Sequence, residues 1–365
     1  MKILHKLLDI YLKSHVSRNP GRIKRIEELH RQPSRLLVIS STALGDTLLS
    51  TPAIKSLRKS FPAARITLLA HRNMVPLFAG FEYVDAVIPY HGGYKKFFAT
   101  LQAIRNERPE AVLICHGNGP QDIAFAVLSG ASYILKHPTN TPYKSYLSFD
   151  FPQQYQHTIE DRLDLVRKIG GTIIVPAMEI PPLDDAMKGL RVEQVLAGRG
   201  RLVGLQIGAS HVYNMWPIEN FIALTQNILA ADPAINVVVT GIGREKLLGD
   251  RIAAACGARV LNCCGVFAID ELPYLLRRME LLVTGDTGPM HLAIALKVPT
   301  IALFSAADSR VTGAYQDPEL HRIIQKNGGS VRKLPKKERD DSAMRLISVD
   351  EVFAVYEDIM HNRPV

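Results

Sequence analysis

Short apolar runs recur along the chain, each followed by a polar or glycine-bearing turn and then by a stretch with helical spacing. In the first half, runs at 35–40, 65–70, 84–89, 110–115 and 131–135 predict strands, and 46–60, 73–79, 94–106, 120–129 and 158–169 predict helices. A second series opens at Arg201, with strands at 202–207, 235–240, 258–262, 280–284 and 299–304 and helices at 217–231, 243–255, 269–278 and 288–297. Alternation of this kind implies parallel sheets joined by right-handed crossovers. The proline-rich passage 175–183 reads as the linker between two α/β halves. Residues 135–156 and 324–341 read as loops. Ser348-Val349-Asp350-Glu351 has the form of a capping box that opens a last helix running to about Met360. The domains expected are thus a tail 1–34, a first domain 35–180, a second domain 181–345, and a closing segment 346–365 able to return to the first domain.

Two turns of one design stand out, one in each half. Arg35 to Ser40 runs into Ser41-Thr42-Ala43-Leu44-Gly45-Asp46 and then a helix. Leu281-Leu282-Val283 runs into Gly285-Asp286-Thr287-Gly288-Pro289-Met290-His291 and then a helix. Asp286 or Thr287 is suited to cap its helix, and Gly288 leaves the backbone open to a close neighbour. Free amides and the positive end of a helix suit a phosphate. Ligands of open α/β sheets sit at the carboxyl ends of strands, where both turns fall.

With Thr51-Pro52-Ala53 and Trp216-Pro217, these motifs make the chain resemble the heptosyltransferase family of glycosyltransferases over roughly residues 35 to 360. The resemblance implies a GT-B type α/β fold, two Rossmann-like domains with parallel sheets facing each other across a cleft. It implies an inverting, metal-independent transfer of a heptose from an ADP-heptose donor to a lipid-linked lipopolysaccharide inner-core acceptor. It places the general base at Asp46, with Thr42, Ala43 and Gly45 lining the same turn. A carboxylate within reach of the acceptor hydroxyl can take its proton as the new C–O bond forms. Gly208, Ala209, Ser210, Gly241, Glu245, Asp286, Thr287, Gly288 and His291 form the rest of the donor-binding set, with amides around Thr287 and Gly288 on the diphosphate and Glu245 on the ribose. The family has a lysine two residues before Trp-Pro, where this chain has Asn214; His211, Arg244 and Arg310 are candidate substitutes. Ser305-Ala306-Ala307-Asp308 also departs from the family's Gly-Pro-Thr-Asp.

Composition narrows the alternatives. At 365 residues, 47% hydrophobic and 22% charged, the chain is long enough for two full cores. No apolar run approaches the ~18 residues of a membrane span, and no secretory signal is evident. The formal charge is +9, and residues 1–35 carry nine Lys/Arg against three Asp/Glu. There Ile3, Leu4, Leu7, Leu8 and Tyr11 share one helical face, opposite Lys2, Lys6, Asp9 and Lys13. This basic amphipathic tail reads as an anchor on the inner membrane surface, with packing on its own protein or on a second subunit as the rival. Lys95, Lys96, Lys136 and Lys144 add charge on or near acceptor-domain loops. The expected location is cytoplasmic and peripheral, without a nucleic-acid partner. The four cysteines lack metal spacing, no Asp-x-Asp pair occurs, and no cofactor is expected beyond the nucleotide-sugar substrate. Two further readings are a nucleotide-dependent oxidoreductase, disfavoured by the lack of Gly-x-Gly-x-x-Gly, and a non-catalytic nucleotide-sugar binder at the membrane.

Overall fold

The computed structural model describes residues 2–117, 119–137, 143–326, 334–335 and 338–361. The chain forms two compact units that meet in sequence at a pair of prolines, Met1–Pro181 and Pro182–Val365. Part of the 135–156 and 324–341 loops lies outside the described residues.

The first unit contains α1 (Lys2–Arg18), β1 (Arg35–Ser40), α2 (Leu44–Ser60), β2 (Arg65–His71), α3 (Val75–Phe78), β3 (Ala86–Tyr90), α4 (Phe97–Glu107), β4 (Ala111–His116), α5 (Pro120–Ser129), β5 (Tyr133–Lys136) and α6 (Thr158–Lys168). Its sheet is parallel throughout, in the order β3-β2-β1-β4-β5. The central strands read as unbroken apolar runs because helices cover both faces: Leu36, Leu37, Val38 and Ile39 are all buried. The chain winds outward from β1 to β3 and then returns to place β4 on the other side of β1. The carboxyl ends of β1 and β4 therefore flank the point where the winding reverses, the crevice in which open α/β sheets bind ligands. Pro52 lies inside α2 and cannot donate to Leu48; the Thr51 hydroxyl takes that carbonyl instead at 2.7 Å, and also accepts from the Glu179 amide.

The tail belongs to this unit. Leu12 is wholly buried and Leu8 nearly so, both within the core that includes Phe97, Phe125 and Ile134. Beyond α1 the chain is tied to the sheet edge by Lys24 N–H to Ser132 O (2.8 Å) and Ile26 N–H to Ser148 O (3.0 Å). The packing corrects the expected face of the helix. Leu8 and Leu12 turn inward, while Leu4, Leu7, Ile10 and Tyr11 remain exposed.

The second unit contains α7 (Ala186–Leu196), β6 (Arg201–Gln206), α8 (Ile218–Ala231), β7 (Ile235–Thr240), α9 (Lys246–Cys256), β8 (Val260–Asn262), α10 (Leu272–Leu276), β9 (Leu281–Gly285), α11 (Gly288–Ala295), β10 (Thr300–Phe304), α12 (Ser309–Thr312), β11 (His321–Gln325) and α13 (Val349–His361). Its parallel sheet runs β11-β10-β9-β6-β7-β8, so the winding reverses between β6 and β9. The closing helix α13 packs in this second unit, against α8, with Val352 and Tyr356 buried in its core. Trp216 explains the docking: its indole N–H donates to Ile347 O at 3.0 Å from within the same core.

Candidate active site

In the first unit the turn after β1 delivers Ala43 as the N-cap of α2, with Gly45 buried and Asp46 in the first turn. A register shift between Ile39 and Ser40 pairs Ser40 with His116 at the end of β4. Three donors then converge on the Asp46 carbonyl: Arg162 Nη1 (2.6 Å), Ser50 Oγ (2.9 Å) and Ser40 Oγ (3.3 Å). They fix the backbone of the turn and leave the carboxylate to other work. Thr42 Oγ1 donates to Asp46 Oδ2 at 2.6 Å and lies 2.6 Å from His116 Nδ1. His116 Nε2 is 3.3 Å from Asp46 Oδ1, and Arg162 Nη2 is 3.7 Å from the same oxygen. Asp46 keeps about a quarter of its side chain exposed (27%), enough to meet a ligand.

The surroundings are rich in buried charge. Arg162 is 1% exposed, and burial holds its guanidinium below the ordinary arginine range. Lys136, the last residue of β5, is likewise lowered by burial, with Asp122 pulling the other way. It lies at the end of the edge strand β5, beside this site. Asp122 is raised by burial, and accepts from Ser41 Oγ (2.5 Å) and the Gly119 amide (3.3 Å). His116 is held well below the usual histidine range, first by burial and then by Arg162 and Lys136, against the opposing pull of Asp46. The imidazole is therefore neutral near pH 7.

In the second unit Gly208, Ala209 and Ser210 follow β6, and Asp286, Thr287 and Gly288 follow β9, on the two sides of its winding reversal. Thr287 is the N-cap of α11, but its hydroxyl meets Thr284 Oγ1 at 3.1 Å and does not cap by side chain. His291 is buried one turn into α11, with Nε2 3.9 Å from Asp286 Oδ1. Asn214 ends a single helical turn, Val212–Asn214, and its backbone crowds Gly285 at the end of β9; a Cβ there would collide with the Asn214 carbonyl. Glu245 is 5% exposed, accepting from the Ile242 amide at 2.6 Å and from Arg244 Nε at 3.1 Å, with its carboxylate packed against Gly208 and Gly241. Of the substitute cations, Arg244 reaches the 208–210 turn, donating to Ala209 O at 3.0 Å. Arg310 lies on Asp308, and His211 stacks on Tyr213. Among the described residues no group of three or more His, Cys, Asp or Glu is placed to hold a metal ion.

Sequence reasoning missed His116, Arg162 and Asp122. Arg162 carried a signal: it occupies the apolar register of α6, three residues after Ile159 and four before Val166. His116 is a polar residue closing an apolar strand at its carboxyl end, where ligands of such sheets bind.

The family model for Glycosyltransferase family 9 (heptosyltransferase) matches residues 146–342, more than half of the chain. Lipopolysaccharide heptosyltransferase 3 of Escherichia coli is 24% identical over 334 residues, covering 87% of this chain and 96% of that protein. The E. coli ADP-heptose lipopolysaccharide heptosyltransferase II structure matches with a TM-score of 0.73 at 18% identity, over 90% of this chain and 98% of that one. A glycosyl transferase family 9 structure from Veillonella parvula DSM 2008 matches with a TM-score of 0.75, also at 18% identity, over 90% of this chain and 98% of that one. Two parallel α/β units of this kind define a GT-B type glycosyltransferase fold. The chain belongs to glycosyltransferase family 9, the heptosyltransferases, and is a sugar-transferring enzyme.

Proposed function

We propose that this enzyme moves a heptose from ADP-heptose onto a sugar of the lipopolysaccharide inner core, with inversion at the anomeric carbon and without a metal ion. The observation that carries the reading is the Asp46 carboxylate, partly open at the first sheet's winding reversal while its own carbonyl is clamped by three donors. Asp46 takes the acceptor hydroxyl proton as that oxygen attacks the anomeric carbon. The bond from this carbon to the diphosphate breaks, and its electron pair leaves on the nucleotide. Amides at the start of α11 and in the 208–210 turn, with His291, meet the charge that grows on the leaving diphosphate. Donors fixed in advance stabilise the transition state more than the ground state. Arg244 at the 208–210 turn supports it as the substitute for the family lysine absent at Asn214.

The relatives' names support an ADP-heptose donor and a lipopolysaccharide acceptor. A lipid-linked acceptor also fits α1, whose Leu4, Leu7, Ile10 and Tyr11 stay exposed beside Lys6 and Lys13. The helix would dock on the inner face of the cytoplasmic membrane. Among the described residues no helix is long and apolar enough to cross one. The test is thermal stabilisation by ADP-, UDP-, GDP- and CMP-sugars, followed by mass spectrometry and anomeric analysis of the product. ADP-heptose should stabilise most, the product should be inverted, and EDTA should leave the rate unchanged. Asp46→Asn should keep donor affinity and lose at least ~10²-fold in turnover. Preference for another nucleotide, or a retained anomeric configuration, would replace this assignment.

A further inference from the structure

Thr42, Asp46 and His116 form a closed triangle within the first unit, and a count of its protons is informative. Thr42 Oγ1 is 2.6 Å from both Asp46 Oδ2 and His116 Nδ1, and His116 Nε2 is 3.3 Å from Asp46 Oδ1. The hydroxyl brings one proton, a neutral imidazole one, and a carboxylate none. Two oxygens 2.6 Å apart need a proton between them, so the Thr42 hydroxyl proton lies toward Asp46. Nδ1 must then carry the ring proton and donate to Thr42. Nε2 is left bare, its lone pair facing a carboxylate oxygen. The alternative tautomer would send the Thr42 proton to Nδ1 and leave the close Thr42–Asp46 oxygens with no proton between them. One contact of the triangle therefore lacks a proton in the resting enzyme, and it is the contact on the Oδ1 side.

We propose that His116 completes the base: the proton Asp46 removes from the acceptor hydroxyl is shared between Oδ1 and Nε2 as a carboxylate–imidazolium pair. This rests on Asp46 being the general base. The acceptor O–H bond breaks, and its electron pair forms the bond to the anomeric carbon. The diphosphate departs with the pair of the bond that breaks, and the proton on the Asp46–His116 pair passes to solvent after the product leaves. Thr42 holds Oδ2 throughout, which keeps Oδ1 turned to the ring. The groups facing His116 are Asp46 on α2, Arg162 on α6 and Lys136 on β5, while Asp122 on α5 lies on the Ser41 side. Burial keeps the ring neutral at rest, helped by Arg162 and Lys136 against the pull of Asp46, so the extra proton is carried only once the acceptor has given it up.

The test combines a measurement on the unaltered enzyme with kinetics. Histidine 15N NMR at pH 7, with the His116 signals identified by their absence in His116→Asn, should show Nδ1 protonated and Nε2 bare. An Nε2-protonated resting ring would overturn the proposal without recourse to any variant. His116→Asn can still donate to Thr42 but cannot hold a second proton. With ADP-heptose and a lipid A–core acceptor it should lower kcat by about 10- to 100-fold, with donor KM changed less than about twofold. Thr42→Val should lower kcat by a similar factor, and the double variant by no more than either alone, as expected of residues acting as one unit. Wild-type kcat in His116→Asn, or a loss confined to KM, would show a structural role only. If Asp46→Asn is slow while His116→Asn is not, this proposal falls and the base assignment stands. If Asp46→Asn is itself fast, the base assignment fails first.

Discussion

Gly208 lends itself to a quantitative test. Sequence alone gives a reason for a small residue there, close approach of a diphosphate, but the structure supplies another. A Cβ at 208 would fall inside the Glu245 carboxylate, a side chain 5% exposed and held by the Ile242 amide at 2.6 Å. Gly208→Ala must expel that carboxylate. The lost hydrogen bond to a charged group is worth about 1.5–3 kcal/mol, whereas the partly exposed Arg244 pairing adds little. For a unit of this size that corresponds to a fall of ~3–12 °C in Tm. Calorimetry on the single variants and on Gly208→Ala/Glu245→Ala isolates the cause. With Glu245 already truncated there is room for the methyl group, and the substitution should cost less than about 0.5 kcal/mol. An equal cost in both backgrounds would refute the Gly208–Glu245 conflict.

Three further outcomes follow from the same geometry. Asn214→Lys should change ADP affinity less than tenfold by titration calorimetry, because Arg244 already stands at the 208–210 turn; a larger gain would show an uncompensated diphosphate. Leu7→Gln with Ile10→Gln should weaken binding to anionic vesicles at least tenfold without lowering Tm, since both side chains are exposed; deleting α1 would instead remove the buried Leu12, and unchanged vesicle binding in the double variant would end the anchor reading. His321 is pushed down to about 4 by burial, against Asp317 and Glu319. Its neutral form is the one the fold favours, so its stabilisation is complete above the unfolded value near 6.5 and is lost as pH falls toward 4. Urea titrations at pH 8 and pH 5 should differ by about 2 kcal/mol from this residue, and His321→Asn should remove that part of the difference.

Much of the architecture was legible in one dimension. The apolar runs and turns located most strands and helices because periodicity and helix entry are local properties, set within a few residues. Some elements escaped for equally local reasons. The strand His321–Gln325 has only two adjacent apolar residues and exists because β10 offers it a partner at the sheet edge. Helix α7 is capped by Asp185, whose side chain accepts from the Met187 and Lys188 amides, a signal that stands directly beside the proline-rich linker.

The amino-acid sequence by itself determined the two α/β halves, the turns that bear Asp46 and Asp286, and the amphipathic character of the first helix. Tertiary structure alone decided which side of that helix is buried: Leu8 and Leu12 find a core, while Leu4, Leu7, Ile10 and Tyr11 do not. It also decided that the closing helix docks on α8, and that His116 and Arg162, 70 and 116 residues beyond Asp46 in the chain, converge on it. Strand order is the reason. A residue's own neighbours fix where a strand ends, but only the winding of the sheet, with β4 returning beside β1, determines which strand ends share a ligand.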